Sequence, residues 1–364
     1  MESGRFQSLH LPHGVTVPRT AHSWLSLLAF CGCTPPKSVT VGDAPDLPDP
    51  PTEETDSYPT EPTPPTSETG LPTDTGGTTT TTPVVTTTLP PVDCATLGTE
   101  PVSITELGAP RGYHGLAFSD DGKIIGSDES SLIAVTYDDV FAVLAPGIGV
   151  VQQITWIDEG DLLITADDSN TLVRFDPETG GSDVISCDNN TYGVLWGPDG
   201  KIWIANNDKI EKVDPLTGET ELFFNQGGVS PHSMGFNVGF TRLYIGTVYD
   251  GGDVYAIDLD ADANRVGDPY IFAEGVGSWQ DCIAVDSCDN VYVCDFTNSR
   301  LYRISPDGSQ VGTFIQWGFN EYGHGATFGN GVGGWRKDAL YLPQPYDGNT
   351  VVEVVLGIGA ANAL

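Results

Sequence analysis

Three observations predict an all-β fold for this sequence from about residue 101 onward. Short apolar runs alternate with polar residues at the period of a strand, turn dipeptides separate them, and no segment keeps a helical period. A unit built of such runs then recurs six times. Its first two strands read HGLAFSDDGKIIGSD, QQITWIDEGDLLITADD, YGVLWGPDGKIWIANND, HSMGFNVGFTRLYIGTV, DCIAVDSCDNVYVCDF and HGATF…ALYLPQP. Third strands include TLVRFDPETG, KIEKVDPLTG, DVYAIDLD and RLYRISPDG, several of them ending in a DPxTG turn. The units begin at His114, Gln152, Tyr192, His232, Asp281 and His324, spaced 38, 40, 40, 49 and 43 residues apart. A four-stranded unit of this size cannot bury both its faces alone. Packed side by side around an axis, six of them make the blades of a β-propeller.

The way the ring closes is also legible. Gly108, Gly275 and Gly318 each stand six residues before the start of a unit, after the outer-strand runs VSITEL, YIFAE and GTFIQW. VSITEL is thus a fourth strand with no first strand of its own, whereas the last unit, ending in TVVEVVLG, lacks a fourth. The N-terminal strand 102–107 is expected to complete the last blade and remove its open edge.

Upstream, the chain reads as an export signal and a stalk. Arg19 precedes the apolar stretch Trp24–Phe30, which is too short to span a bilayer and fits a cleaved signal. Gly32 and Cys33 resemble the end of a bacterial lipobox, which makes residues 1–33 the signal peptide and Cys33 the lipid-bearing residue. The eighteen residues before Arg19 are long for such a signal, and a misplaced start codon would account for them. Thr34 after Cys33 suits an outer-membrane or cell-surface lipoprotein; without lipidation the protein would be secreted. Residues 34–92 are Thr, Pro, Asp, Glu and Gly in runs such as TDTGGTTTTTPVVTTTLPP. They have too little apolar surface to offset the entropy of folding and are expected to form a disordered stalk. The propeller occupies 93–364, and the expected state is a monomer.

Charge narrows the partners. With 50 Asp and Glu against 15 Lys and Arg, the formal charge is −35. That excludes nucleic acid, and leaves a lipid anchor as the sole contact with a membrane. A cation, a small molecule, a sugar or a basic peptide suits it better.

Innermost strands of a propeller start at the mouth of its central channel, so the six unit starts form a ring. Three of the six histidines lie on it, and the other three, His10, His13 and His22, precede the proposed mature start. His114, His232, Asp281 and His324 together suit a divalent metal, zinc ahead of calcium, with Gln152 and Tyr192 facing a ligand on the open side. The loops between second and third strands add a rim of Asp128, Glu129, Asp167, Asp168, Asn206, Asn207, Tyr249, Asp250, Asn298, Tyr346 and Asp347. As turn formers, Asp and Asn are expected there in any case. The run DLDADAN, 258–264, begins like a calcium loop but has Ala263 and Pro269 where that loop needs Gly and Glu, and reads as a solvated turn.

The blade pattern, with YAIDLDADANRVGDPYIFAEG, resembles the six-bladed propellers of the NHL-repeat and senescence-marker/gluconolactonase group over about 101–364. In that group an acid, two amides and an aspartate hold the metal. Asp281 matches the aspartate, while His114, Tyr192 and His232 replace the others, so the resemblance implies the fold more than lactone hydrolysis. SPHSM and YHGL also resemble the metal-binding histidine motifs of peptide-amidating lyase propellers. Two functions are open: a recognition module binding at the channel mouth, or a metal-dependent hydrolase or lyase using the same ring.

Among the cysteines, Cys288 lies in a first-to-second strand turn, on the face where Cys94 enters the domain. A Cys94–Cys288 disulfide is expected; Cys282 and Cys294, facing across a hairpin, are the rival pair, and Cys187 is expected to be free.

Overall fold

The computed structural model describes residues 92–107, 114–128, 131–148, 151–157, 160–166, 171–186, 191–206, 208–249, 251–318, 324–345 and 350–362. All lie in the unit spanning 50–364. The signal, Cys33, the stalk up to residue 91 and Cys187 lie outside these residues. Among the described residues no helix is long and apolar enough to cross a membrane.

The described strands form six four-stranded antiparallel sheets, the blades of an all-β propeller. Five keep chain order from inner to outer strand, over 117–146, 151–186, 191–224, 231–273 and 280–316. The sixth takes three strands from 327–355 and receives Ser103–Leu107 as its outermost, with Ser103 opposite Val355 and Leu107 opposite Val351. The strand that precedes the first unit therefore does complete the last sheet.

Local chemistry explains the repeat. In the first-to-second strand turns, Gly122, Gly160 and Gly200 hold φ of 82°, 86° and 68°, which glycine adopts without steric cost. Asp289 takes the same place in the fifth blade at φ 62°, its N–H donating to the Asp286 carbonyl. In the DPxTG turns, Asp176 accepts from the N–H groups of Glu178 and Thr179, and Asp214 from those of Leu216 and Thr217. Asp260 in the DLDADAN run does likewise with Asp262 and Asn264, so its carboxylate is an ordinary turn former.

Each apolar cluster lies between two consecutive blades. Ile202 and Ile204 face blade two while Trp203 and Ala205, on the same strand, face blade four. The inner strands of the first five blades abut in succession. The sixth joins blade five through Leu340 and Leu342, and blade one through Trp335 and Tyr341. Burial of both sheet faces is why second strands such as Ala339–Gln344 read as nearly continuous apolar runs.

Among the described residues there are two disulfides, Cys94–Cys288 with Cα atoms 5.7 Å apart and Cys282–Cys294 at 5.0 Å. The expected rivalry between them is corrected. Cys282 and Cys294 are paired directly across one hairpin, and Cys288 lies beyond it in the turn, so neither bond competes for the other's partner. Both point to an oxidising, extracytoplasmic compartment. The Arg303 guanidinium donates to the Gly98 carbonyl, a second tie on the entering segment.

Candidate functional site

Four of the six unit starts lie within or at the head of an inner strand, and all six are less than a tenth exposed: His114, Gln152, Tyr192, His232, Asp281 and His324. Their close approach depends on a small residue at the next position in most blades. A Cβ on Gly115 would stand 2.6 Å from the Gln153 Cα, one on Gly193 2.6 Å from the His232 carbonyl oxygen, and one on Gly325 2.6 Å from that of His114. Ser233 and Cys282 are the small residues at two further equivalent positions. The sixth is Gln153, which uses the space they leave. Its amide reaches across the axis to lie 3.5 Å from the carbonyls of both Asp281 and His324.

Asp281 is the electrostatic centre. Its Oδ2 lies 2.6 Å from His324 Nδ1 and its Oδ1 3.1 Å from His232 Nε2. Burial alone would raise its pKa, but the hydrogen bonds and charges of His232 and His324 outweigh that, and the carboxyl is held below its ordinary range. His114 is different. Burial and the neighbouring His324 push it down to about 3, so it stays neutral, with Nδ1 bonded to the Gln152 amide oxygen.

His232 Nε2 has two suitors. It lies 3.1 Å from the Asp281 carboxylate, which can only accept, and 3.3 Å from the indole N–H of Trp279, which can only donate. Protonated, Nε2 donates to Asp281; deprotonated, it accepts from Trp279. The ionised carboxylate favours the first.

The rings close on one another. His114 stacks on His324 at 4.2 Å and Tyr192 on His232 at 3.5 Å. His114 lies 6.4 Å from Tyr192 and His232 6.1 Å from Trp279. Trp279 to Phe296 at 5.7 Å and Phe296 to His324 at 4.4 Å complete a collar of six rings. Outside it, Tyr249 packs edge-on against Trp279 at 5.0 Å and is 73 % exposed.

This geometry bears on two expectations. Among the described residues, no three His, Cys, Asp or Glu side chains are arranged as metal ligands. His114, His232, Asp281 and His324 do gather, but as a hydrogen-bonded and stacked cluster. The two oxygens of Asp281 go to different imidazoles, and His114 and His324 lie ring on ring rather than edge to edge around an ion. Gln152 and Tyr192 belong to the same cluster. They bind His114 and stack on His232, and the Tyr192 hydroxyl donates to the His324 carbonyl at 3.2 Å.

On the rim, Asp128 accepts from the Ser131 N–H, Asn206 donates to Glu211 and Asn298 donates to Asp295, each serving its own turn. Glu129, Asp167, Asp168, Asn207, Asp250, Tyr346 and Asp347 lie outside the described residues. Sequence reasoning missed Trp279, Phe296 and Gln153. Trp279 had a signal, since it stands two residues before Asp281 at the same mouth.

A scan of protein families finds no match, and no curated protein aligns significantly with the chain. Solved structures do resemble it. A gluconolactonase from Xanthomonas campestris matches with TM-score 0.58 at 13 % identity, over 70 % of this chain and 89 % of its own. A calcium-binding regucalcin from Agrobacterium tumefaciens matches at 0.56 and 16 %, over 70 % and 94 %. An auxiliary nutrient binding protein from Bacteroides thetaiotaomicron matches at 0.56 and 17 %, over 70 % of each chain. At these identities the likeness shows a shared propeller fold.

Proposed function

We propose that this protein is a membrane-tethered, extracytoplasmic six-bladed propeller that binds a small ligand at the mouth of its central channel. The observation that carries this is the collar, in which His114, Gln152, Tyr192, His232, Asp281 and His324 converge with Trp279 and Phe296 around one buried carboxylate. Such a convergence of polar groups and aromatics is the usual anatomy of a ligand site. A ligand bound at about 100 times its Kd should raise stability by about 2.7 kcal/mol. In a thermal-shift panel of amines, sugars and lactones, at least one class should give such a shift. His232→Ala and Asp281→Asn should abolish it while keeping the β circular-dichroism signature. A panel with no response, or a response untouched by both variants, would sink the reading.

One observation favours a catalytic second reading. A buried carboxylate on His324 Nδ1 fixes its tautomer and makes Nε2 the basic nitrogen, the pairing used by general bases. Hydrolase or lyase turnover would then fall at least about 100-fold in Asp281→Asn. Metal analysis of protein purified without chelator decides whether zinc or calcium belongs to either reading.

Tethering rests on the Gly32–Cys33 motif and the Thr/Pro-rich 34–92 segment. Cys33→Ala should move the protein from the membrane fraction to the soluble one. A wild-type protein already soluble would mean secretion instead.

A further inference from the structure

From the arrangement of rings and charge we infer that the ligand of this mouth is a small organic cation, an alkylammonium group seated against Trp279, Tyr249 and Phe296. This deepens the binding reading above and rests on it. Trp279 and Phe296 are half-buried and Tyr249 is exposed, so all three offer ring surface on the side of the collar nearest blades four and five. Tyr249 is held at φ 66°, a left-handed conformation unusual for tyrosine, with its ring against the indole of Trp279. Aromatic faces attract ammonium ions through the ring quadrupole, Trp most strongly.

Charge distinguishes a cation from a neutral ligand with the same taste for aromatics. One imidazole away from Trp279 and from Phe296, through His232 and His324, lies the carboxylate of Asp281, 1 % exposed. The groups that bond it are His232 and His324. The Asp295 carboxylate lies one strand further, fixed by the N–H groups of Ser278 and Thr297 and by the Asn298 amide. Among the described residues, Lys209 pairs with Glu211, and Arg300 bonds Gln316 and Tyr302 and acts on Asp295, so the field at the rings rests chiefly on Asp281. A field from buried carboxylates is weakly screened by salt, and the formal charge of −35 adds to it over longer range. An anion would meet repulsion here. A sugar would leave the field unused.

Choline and its uncharged isostere 3,3-dimethylbutan-1-ol separate these cases, because they share shape and hydroxyl and differ only in charge. Titration of the full-length protein, followed by tryptophan fluorescence and calorimetry, should show choline binding at least tenfold tighter than the alcohol. Tyr249→Ala, at an exposed position that leaves the fold intact, should weaken choline several-fold, and Trp279→Leu at least tenfold. Equal binding of the two probes, or choline binding indifferent to both variants, overturns the proposal. If maltose, and not choline, is bound and lost in Trp279→Leu, the ligand class is wrong while the binding site at the mouth stands. If neither probe nor sugar binds, and the wider panel is silent too, both fall.

Discussion

Replacing Lys212 by methionine should lower the stability of the propeller by about 3–5 kcal/mol, the cost of stranding one partner of a buried ion pair. Lys212 is nearly inaccessible, yet its ammonium is fully engaged. It donates to Asp199 Oδ2 at 2.9 Å and to the Ala263 carbonyl at 2.7 Å, and lies 4.2 Å above the Trp203 ring. Asp199 in turn accepts from the Trp203 indole N–H at 2.9 Å. Because Ala263 belongs to the next blade, this one lysine staples blades three and four. Methionine keeps the apolar stem but leaves a carboxylate and a carbonyl facing low dielectric. Urea denaturation should show a lower midpoint with an unchanged slope. Adding Asp199→Asn should recover part of the loss, since the stranded charge is then gone. Acid supplies a second check. Burial would raise the Asp199 pKa, but the bonds from Trp203 and Lys212 outweigh it, so the folded value lies below the ordinary 3.8. This contribution is present above the unfolded pKa and is lost as pH falls through the lower, folded one. In Lys212→Met the stranded carboxylate is pushed up by burial instead, so the deficit should shrink as acid protonates it and the two stability curves should converge at low pH. Less than about 1 kcal/mol of loss would mean that water already reaches the pair.

How far the site could be read from sequence depended on how local its cause was. The unit starts were legible because a turn such as Ser119–Gly122 is specified by its own residues and recurs in blades one, two, three and five. The N-terminal closing strand was legible because strands can be counted. The collar was not, because whether His114 meets His324 by an edge or by a face depends on the ring's radius and on rotamers. The expectation of a metal followed residue types, whereas the bonds of His114 to Gln152 and of His232 and His324 to Asp281 follow from packing. Trp279 and Phe296 were hidden for another reason. They lie in the connections of blade five, where the irregular spacing of 49 residues ends and the repeat gives no aligned position to inspect. Gln153 stood in plain view, but only the glycines of the neighbouring blades show why a long side chain fits there.

Removing the Cys94–Cys288 bond should cost more than removing Cys282–Cys294, although the second is the more deeply buried. In the chain-entropy account a cross-link stabilises by restricting the unfolded chain, and the restriction grows with the length of the loop it closes. The two bonds span 194 and 12 residues. The account gives about 5 kcal/mol for the first and about 3 kcal/mol for the second. The long loop also bears on the closure of the ring. Cys94 is bonded to blade five, while the strand it leads into, Ser103–Leu107, forms the outer edge of blade six. That strand is mostly exposed, so its own burial contributes little, and its hydrogen-bonded ladder with Thr350–Val355 has to hold it. With the disulfide gone, the amides of this outer strand should exchange with solvent before those of the inner strands, by local opening at the seam. The paired substitutions Cys94→Ala with Cys288→Ala, and Cys282→Ala with Cys294→Ala, can be compared by urea midpoint and by hydrogen exchange at Thr105 and Leu107. A larger loss in the first variant, with faster exchange confined to the outer strand, is the expected result. An equal or smaller loss would mean that the ladder alone closes the ring, and that the bond serves only to hold the entering segment in place.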